Sequence, residues 1–401
     1  MEGIDYKQKS FYAGRFFSPS TPIDKRSLFS GRDYQLDRVI DLIFARGQHS
    51  VIYGERGVGK TSLANILQEV LEPLAKHKIL CSRVNCDISD SFSSLWSKTL
   101  NNVSLIMEEP SIGFSQQSKE TLVSLKDLVV KENGIKIEDI RKLQQIKDIS
   151  FVFIFDEFDR IKKGKVTALL ADTIKMLSDY SIDVTIILIG VADSIEELVK
   201  EHASIDRSLV QILMPRMKSD ELSGIINSAV QELKMSIDPK VKQEIVRLSQ
   251  GLPHYTHLVG LAATRKALQS QRLNITDTDL FEGINDAIND AQQIIINAYT
   301  KATTSPRKDT LFKQVLFACA LCQVDELGYF APADVREPLE RIVKHKVNIA
   351  TFNRHLSDFC SEKRGFTLVK TGGKRRYRYR FKNPLLQPYV VMKGLSEKLL
   401  E

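Results

Sequence analysis

The feature that most constrains this chain is a glycine-rich segment at residues 54–61. It reads Gly-Glu-Arg-Gly-Val-Gly-Lys-Thr and matches the phosphate-binding pattern G-x-x-x-x-G-K-[ST] at every fixed position. The apolar residues 51–53 before it predict a buried strand, and residues 62–71 after it predict an amphipathic helix. Backbone N–H groups of such a loop and the helix N-terminus bind phosphate groups. The segment therefore predicts a strand–loop–helix unit that binds a nucleoside triphosphate.

The predicted nucleotide contacts come from this loop and from the first turn of the helix. The Lys60 ammonium would reach the β- and γ-phosphate oxygens and so support catalysis, and the Thr61 hydroxyl would ligate Mg²⁺. The predicted nucleotide-binding residues of this segment are Gly54, Glu55, Arg56, Gly57, Val58, Gly59, Lys60, Thr61 and Ser62.

A second segment, Phe151–Glu157, is an apolar run that ends in two carboxylates. A phosphate-loop enzyme needs a carboxylate at the end of a neighbouring strand to hold hydrated Mg²⁺, and we assign Asp156 to this role. Hydrolysis also needs a base that orients the attacking water, and Glu157 is placed for it. The alternative is a buried strand that simply ends in acids. The intact phosphate loop earlier in the chain favours the catalytic interpretation.

Length and composition predict a globular protein of two or three domains. The chain has 401 residues, of which 43% are hydrophobic and 27% are charged. No run of about 18 apolar residues is present. The polar segment 1–15 lacks the apolar stretch of a signal peptide. We expect no membrane segment and a cytoplasmic location.

The alternation of apolar runs and helical segments predicts an α/β fold, a P-loop NTPase parallel sheet with helices on both faces. Residues 100–147 read as polar, peripheral helices. Successive helices then predict an all-α lid, and a helix-rich segment ending in two short strands predicts a small winged helix-turn-helix domain. The predicted divisions are an extended N-terminal arm laid on the first domain (1–27), the nucleotide-binding domain (28–217), the lid (218–304), the winged-helix domain (305–392) and a tail (393–401).

The five cysteines do not predict a disulfide framework. Cys319 and Cys322 have the spacing of a metal-binding pair, but no second pair or histidine set completes a zinc site. They lie in an apolar helical segment, so we expect buried thiols.

The C-terminal part of the chain carries a concentration of positive charge. Residues 363–382 contain nine basic residues and no acidic residue. Within 376–381, arginines alternate with aromatic residues, so a strand would place the arginines on one face. The preceding helix, 349–360, has an apolar face and a polar outer face. A helix beside a basic hairpin favours contact with double-stranded DNA, and a solvated or protein-docking hairpin is the alternative. The predicted DNA-binding residues are Asn348, Thr351, Arg354, Lys374, Arg375, Arg376, Arg378 and Arg380.

Taken together, these motifs resemble the AAA+ class, and most closely the branch of the origin-recognition ATPases and their bacterial relatives. The residues that carry the resemblance span roughly 28–392 and are Phe29–Arg32, the phosphate loop, Asp156–Glu157, residues 190–193 (Gly-Val-Ala-Asp) and the winged-helix-like tail. Gly251-Leu252-Pro253 is shared with the signal-transducing STAND ATPases, which remain an alternative.

The resemblance implies further site residues, each with an alternative. Phe29–Arg32 would pack near the adenine or form an ordinary helix start. Asp193 or Ser194 would sense the γ-phosphate. Arg207 would enter the site of a neighbouring subunit or form a surface ion pair. His254 stands where relatives place an arginine that contacts the γ-phosphate, or it merely begins a helix.

The leading functional hypothesis is a Mg²⁺-dependent ATPase that acts as a molecular switch on DNA. Its cofactors would be ATP and Mg²⁺, and it would form a nucleotide-dependent homo-oligomer or hetero-complex in replication, mobile-element or defence processes. One alternative is a STAND-type signalling ATPase whose C-terminal domain binds a protein. The other is a non-catalytic scaffold that the nucleotide stabilises.

Overall fold

The structure, a computed structural model, describes residues 5–109, 119–130, 134–161, 164–191, 205, 207–289, 291–305, 310–373 and 376–400. The chain forms two compact units. The sheet unit contains residues 23–54 and 60–214. The helical unit contains residues 1–22, 55–59 and 215–401.

A parallel five-stranded sheet organises the sheet unit. Its strand order is β2-β5-β6-β1-β7, so β1, which precedes the phosphate loop, is flanked by β6 and β7. The strands are β1 (His49–Tyr53), β2 (Lys78–Asn85), β5 (Ile149–Asp156), β6 (Val184–Gly190) and β7 (Leu209–Leu213). This is the parallel sheet that the sequence predicts.

The apolar run of β5 is uninterrupted because both of its faces are buried. Phe153 and Phe155 point to one face, where each ring lies 5.4 Å from the ring of Trp96, and Ile154 is buried on the other face. A strand covered on both sides has no position where a polar residue would face water. This packing fixes the end of β5, where Asp156 stands.

Helices connect the strands of the sheet unit. They are α2 (Asp33–Phe44), α3 (Lys60–Leu71), α4 (Phe92–Asn101), α5 (Leu125–Val129), α6 (Ile137–Arg141) and α7 (Lys165–Asp179), with short 3-10 turns at Arg26–Leu28, Lys142–Gln145 and Phe158–Arg160.

The prediction of peripheral helices throughout residues 100–147 is wrong for part of that segment. An antiparallel hairpin forms there from β3 (Ser104–Glu109) and β4 (Lys119–Ser124). Leu105 is buried whereas the next residue, Ile106, is 62% exposed, as expected for a strand with one covered face. The remaining described part of the segment contains the short helices α5 and α6.

Helices dominate the helical unit, as predicted for the lid. Its first part contains α1 (Tyr6–Phe16), α8 (Ser219–Glu232), α9 (Pro239–Ser249), α10 (Pro253–Gln269), α11 (Asp277–Asn289) and α12 (Gln293–Thr303). The two-residue strands β8 (Ser236–Ile237) and β9 (Asn274–Ile275) pair in parallel between them.

The N-terminal segment is not the extended arm on the first domain that its proline and serine content predicted. It contains helix α1, which belongs to the helical unit and packs against α10. Phe17 lies so close to Gly260 that a Cβ there would be 2.5 Å from its ring. Lys9 also donates a hydrogen bond of 2.7 Å to the carbonyl of Leu233.

The C-terminal part consists of three helices, a two-stranded antiparallel hairpin and a final helix. These are α13 (Phe312–Leu321), α14 (Pro332–Val343), α15 (Ile349–Phe359), the strands β10 (Leu368–Thr371) and β11 (Arg378–Phe381), and α16 (Leu386–Ser396), with a 3-10 turn at Glu362–Arg364. Helix α16 continues past residue 392, where the sequence analysis placed a boundary.

The cysteines are free thiols, and Cys319 and Cys322 are buried in or beside α13. Burial raises the pKa of both thiols.

Within the described ranges, no group of His, Cys, Asp and Glu side chains is arranged to hold a metal ion by itself. No helix among the described residues is long and apolar enough to cross a membrane.

The buried His49 at the start of β1 predicts a pH dependence of stability. Its Nδ1 accepts a hydrogen bond of 2.9 Å from the Ile186 N–H, and burial lowers its pKa from 6.5 to about 4. The neutral ring therefore stabilises the fold above pH 6.5, and this contribution is lost as the pH falls towards 4. Between about pH 7 and 5, we expect the wild type to lose roughly 2 kcal/mol more of its free energy of unfolding than His49→Asn.

Urea unfolding of both proteins at the two pH values measures this difference. The remaining histidines are common to both proteins and cancel. Parallel losses of stability in the two proteins would contradict the assignment.

Candidate nucleotide-binding site

The loop after β1 depends on glycine at defined positions. Gly57 and Gly59 have φ angles of +86° and +98°, a region that side chains rarely adopt. At Gly54 the constraint is a close approach, because a Cβ there would lie 2.2 Å from the Met214 carbonyl oxygen. The Met214 N–H donates a hydrogen bond of 2.6 Å to the Tyr53 carbonyl, which holds that backbone against the start of the loop.

Lys60, Thr61 and Asp156 are arranged at the C-terminal ends of the strands. Lys60 begins helix α3, and its Nζ donates to the Gly54 carbonyl at 3.0 Å. The Thr61 hydroxyl donates to the Asp156 carboxylate at 2.9 Å, and Asp156 is buried. The structure thus brings together the two oxygen ligands that the sequence analysis assigned to Mg²⁺. A hydroxyl beside a carboxylate is a donor set that fits this hard cation.

The sequence analysis did not identify Arg83, which lies beside Asp156, or its partner Asn65. Arg83, on β2, places Nη1 3.9 Å from Asp156 Oδ2. The same guanidinium donates to the Asn65 side chain on α3. Arg83 therefore offsets part of the charge of the buried carboxylate. Nothing in the sequence shows that β2 is the neighbour of β5, so this contact requires the fold.

The Glu157 side chain is held by Arg160 and not by the Thr61–Asp156 pair. Glu157 adopts a left-handed backbone conformation with φ of +54°, and its N–H donates to Asp156 Oδ1 at 2.9 Å. Arg160 Nη1 donates to the Glu157 carboxylate at 2.9 Å, and Nη2 of the same residue lies 3.6 Å from Asp87 Oδ2. The three-residue spacing between Glu157 and Arg160 was visible in the sequence, but its significance was not recognised.

Other residues predicted from the loop and its surroundings have varied environments. Val58 is buried and Arg56 is exposed. The Ser62 hydroxyl accepts a hydrogen bond of 3.1 Å from the Ile23 N–H, so it joins α3 to the preceding segment. Arg32, with φ of +66°, is the N-cap residue immediately before helix α2, and it is buried.

The residues that the family resemblance implied are distributed over both units. Arg207 is exposed in the turn before β7. The positions of Asp193 and Ser194 lie outside the described residues. His254, at the start of α10, places Nδ1 2.8 Å from the Pro19 carbonyl. Burial lowers the pKa of His254, and the contact with Pro19 acts in the opposite direction.

Three of the eight residues predicted to contact DNA lie on or just before helix α15. Asn348 is the N-cap residue of this helix, and the side chains of Thr351 and Arg354 are exposed. The Arg354 side chain is 89% exposed and lies 4.0 Å from the Asp358 carboxylate.

The hairpin shows the predicted alternation of arginines and rings. Tyr379 and Phe381 are buried, whereas Arg378 is exposed and Arg380 is partly exposed with its guanidinium over the Tyr329 ring. Arg378 also forms an ion pair of 2.9 Å with Asp325. Arg376 is exposed, and Lys374 and Arg375 lie outside the described residues.

One of the nine basic residues of this segment does not belong to a charged surface, contrary to the sequence analysis. Arg364 is buried, and its Nη1 donates to the carbonyls of Ala302 and Thr304 at 3.2 and 2.6 Å. Its guanidinium lies 3.5 Å from the centre of the Phe312 ring. This arginine joins the C-terminal helices to α12.

The contact between Gly54 and Met214 predicts a large cost for any side chain at residue 54. In Gly54→Ala the new Cβ meets a backbone oxygen, so we expect the free energy of unfolding to fall by about 1–3 kcal/mol. Gly373→Ala is the control, because its Cβ has no neighbour within 4 Å. Urea unfolding followed by circular dichroism measures both variants, and equal stability of the two would refute the close approach.

Several solved structures share the fold of this chain. The chain is similar to the ORC2 protein of Aeropyrum pernix in its ADPNP–ADP complexes, with a TM-score of 0.53 and 12% identity over 96% of this chain and 97% of that one. The chain is also similar to the Walker-type ATPase Paby2304 of Pyrococcus abyssi, with a TM-score of 0.52 and 16% identity over 94% of this chain and 99% of that one. For the Aeropyrum pernix ORC1 protein in complex with DNA, the TM-score is 0.50 and the identity is 14%, over 96% of this chain and 97% of that one. At these identities the similarity establishes the fold alone.

Sequence comparison identifies the family. No curated protein is detectably similar to the chain. Residues 21–341 match the sequence profile of nSTAND1, described as Novel STAND NTPase 1, which is most of the chain. The resemblance to origin-recognition-like and STAND-related P-loop ATPases is thereby confirmed, and the protein belongs to the nSTAND1 family.

Proposed function

We propose that this protein is a Mg²⁺-dependent ATPase that acts as a nucleotide-controlled switch on double-stranded DNA. The observation that carries the proposal is the hydrogen bond of 2.9 Å between Thr61 and Asp156, directly after Lys60. The bond joins a hydroxyl and a carboxylate, and the neighbouring Lys60 ammonium donates to the Gly54 carbonyl of the glycine-rich loop. These are the groups that a magnesium–triphosphate complex requires.

In this proposal each residue of the site has a defined task. The loop N–H groups, from Gly54 to Ser62, bind phosphate oxygens, and Lys60 exchanges its bond to the Gly54 carbonyl for phosphate oxygens. Thr61 and Asp156 hold Mg²⁺, which when bound neutralises charge on the phosphates.

Glu157 is the proposed base that orients the attacking water. Its carboxylate accepts a hydrogen bond of 2.9 Å from Arg160 Nη1 and is therefore occupied by that ion pair. Turnover therefore requires that Arg160 release Glu157. Asp193 and His254 are proposed to respond to the γ-phosphate, and the exposed Arg207 is proposed to complete the site of a neighbouring subunit in a homo-oligomer or hetero-complex.

The C-terminal part is proposed to be a winged helix-turn-helix that binds DNA. The exposed polar face of α15, with Asn348, Thr351 and Arg354, would face the major groove. The basic face of the hairpin, with Lys374, Arg375, Arg376, Arg378 and Arg380, would contact phosphates. The Aeropyrum pernix ORC1 protein, whose fold is similar, has been solved in complex with DNA. The proposed switch acts in replication, mobile-element or defence processes.

A protein-binding C-terminal domain in a STAND-type signalling ATPase is the second candidate. Two observations favour it: the ion pair between Arg378 and Asp325, and the burial of Arg364. Both reduce the positive charge that the segment offers to an anion. The membership in the nSTAND1 family is compatible with either candidate.

Glu157→Gln is expected to bind Mg-ATP with little change and to lose ATP turnover. The amide keeps the size of the side chain but cannot accept a proton, and loss of a general base typically costs about 10²–10⁴-fold in rate. Phosphate release measures turnover, and calorimetry measures binding.

The matched control is Glu244→Gln on α9, whose carboxylate also pairs with an arginine three residues later. It should turn over ATP like the wild type. Wild-type turnover in Glu157→Gln would remove this residue from the catalytic role. Binding without turnover in the wild type would support the scaffold alternative.

The triple variant Arg376→Ala/Arg378→Ala/Arg380→Ala is expected to weaken double-stranded DNA binding at low salt. Each lost phosphate contact lowers the slope of log affinity against log salt by about 0.9, so we expect a slope smaller by about 2–3. Fluorescence anisotropy over a series of salt concentrations measures both quantities.

The charge-matched control is Lys234→Ala/Lys240→Ala/Arg247→Ala, which removes three exposed cations from the first part of the helical unit. It should retain the wild-type slope. Equal effects of the two triple variants would show non-specific attraction. No effect of either on DNA would favour the protein-binding candidate.

A further inference from the structure

The second residue of the phosphate loop, Glu55, has a buried carboxylate. Its side chain is 3% exposed, and the Arg216 guanidinium binds both of its oxygens. Nε of Arg216 lies 2.5 Å from Oε2 and Nη2 lies 3.1 Å from Oε1. Bidentate pairs of this kind are strong and directional. Both residues belong to the helical unit, although Glu55 is one residue from Gly54 of the sheet unit.

Arg216 also contacts two residues other than Glu55. Its Nη1 donates to the Gln250 carbonyl at 3.1 Å and to the Gln387 side-chain oxygen at 2.8 Å. Gln387 lies near the start of helix α16, is fully buried and donates to the Ala320 carbonyl at 3.0 Å. One guanidinium therefore connects the loop residue Glu55 to the C-terminal helices.

Two glycines make room for this ion pair. A Cβ at Gly251 would lie 2.7 Å from the Arg216 Cβ, and a Cβ at Gly328 would lie 2.1 Å from Glu55 Oε1. Both glycines have a φ of +79°, which side chains rarely adopt. The backbone at Gly251 and Gly328 can therefore approach the Glu55–Arg216 ion pair this closely only because both residues are glycine. This assigns a structural role to the first residue of the Gly251-Leu252-Pro253 motif.

A carboxylate within a phosphate-binding loop presents an electrostatic difficulty. Like charges repel, and in a buried site this repulsion is stronger than in water. Arg216 cancels the charge of Glu55, so the loop can accept a polyanion. A neutral side chain at residue 55 would remove the same repulsion without any help from Arg216.

We propose that Arg216 is a positioning residue that makes the phosphate loop receptive to nucleotide by neutralising Glu55, and that it links the loop to helix α16 through Gln387. The proposal rests on the proposed function, because it concerns nucleotide binding at this loop. The positive charge of Arg216 neutralises Glu55, whereas the separate N–H groups of its guanidinium connect Glu55 with Gln387. The two roles can therefore be separated by mutation.

The test compares Arg216→Ala, Arg216→Lys, Glu55→Gln and the double variant Glu55→Gln/Arg216→Ala with the wild type. Calorimetry gives the affinity for Mg-ATP. We expect Arg216→Ala to bind about tenfold more weakly or worse, which is in the usual range for coupled sites. Glu55→Gln leaves the positive charge of Arg216 unpaired and should bind Mg-ATP more tightly than the wild type. The double variant carries neither charge and should recover most of the affinity that Arg216→Ala loses. Arg216→Lys keeps the charge and should also bind well.

Amide hydrogen exchange of residues 386–396 in nucleotide-free protein tests the link to α16. The three variants that replace Arg216 should exchange faster there than the wild type, because each loses the guanidinium that donates to Gln387. The control, Arg247→Ala, removes an exposed pair with Glu244 on α9 and should change neither readout. Circular dichroism verifies that each variant is folded.

The outcomes separate this proposal from the proposed function. Equal loss of affinity in Arg216→Ala and in the double variant would show a purely structural role and overturn the charge argument. Unchanged exchange in all variants would overturn the link to α16. If the wild type gives no heat with Mg-ATP, the proposed function fails, and the exchange data alone support or overturn the link. If Arg216→Ala does not fold, tight binding by Arg216→Lys together with fast exchange supports both roles, and weak binding overturns the first.

Discussion

The hydrogen bond between the Thr61 hydroxyl and the Asp156 carboxylate is the interaction on which the rest of the site depends. It joins the first turn of α3 to the end of β5, two segments 95 residues apart in the chain. The strand that precedes the loop, β1, does not pair with β5, because β6 lies between them. A hydrogen bond to an ionised group contributes about 1.5–3 kcal/mol. This bond therefore holds the first turn of α3 against the end of β5, although β1 and β5 are not paired.

The packing of the sheet explains why Asp156 can hold this position. The rings of Phe153 and Phe155 contact the Trp96 ring from neighbouring positions on one face of β5. Arg83 on the adjacent strand β2 supplies a positive charge near the buried carboxylate. Glu157, the next residue, leaves the strand in a left-handed conformation and turns towards Arg160. Two consecutive carboxylates are thus placed in different environments, one buried beside Thr61 and Arg83 and the other paired with Arg160.

The elements that could be predicted from the sequence are those with a strong periodic signal. Strands β1, β5 and β6 are buried on both faces, so each contains a run of consecutive apolar residues. The β3–β4 hairpin was missed because it is covered on one face only, and its exposed side carries apolar residues such as Ile106 that obscure the alternation. Helix α1 was missed because the prolines and serines that follow it dominate the composition of the N-terminal segment.

The same distinction applies to the site. Lys60, Thr61 and Asp156 could be proposed from the sequence because motifs with local spacing point to them, and the structure brings Thr61 and Asp156 together. The partners of Asp156 and Glu55 are arginines from distant parts of the chain, and no local pattern announces them. The positive charge that residues 363–382 expose to an anionic partner was overestimated for a related reason. Arg364 is buried and Arg378 forms an ion pair, and both follow from tertiary contacts.

Titration of Mg-ATP into folded wild-type protein and into Lys60→Ala, followed by calorimetry, tests the central claim most directly. Saturable heat at one site per chain in the wild type, and its loss in Lys60→Ala with the fold retained, is the result that the account predicts. Absence of heat in the wild type with either Mg-ATP or Mg-GTP, or equal heat in both proteins, would contradict it.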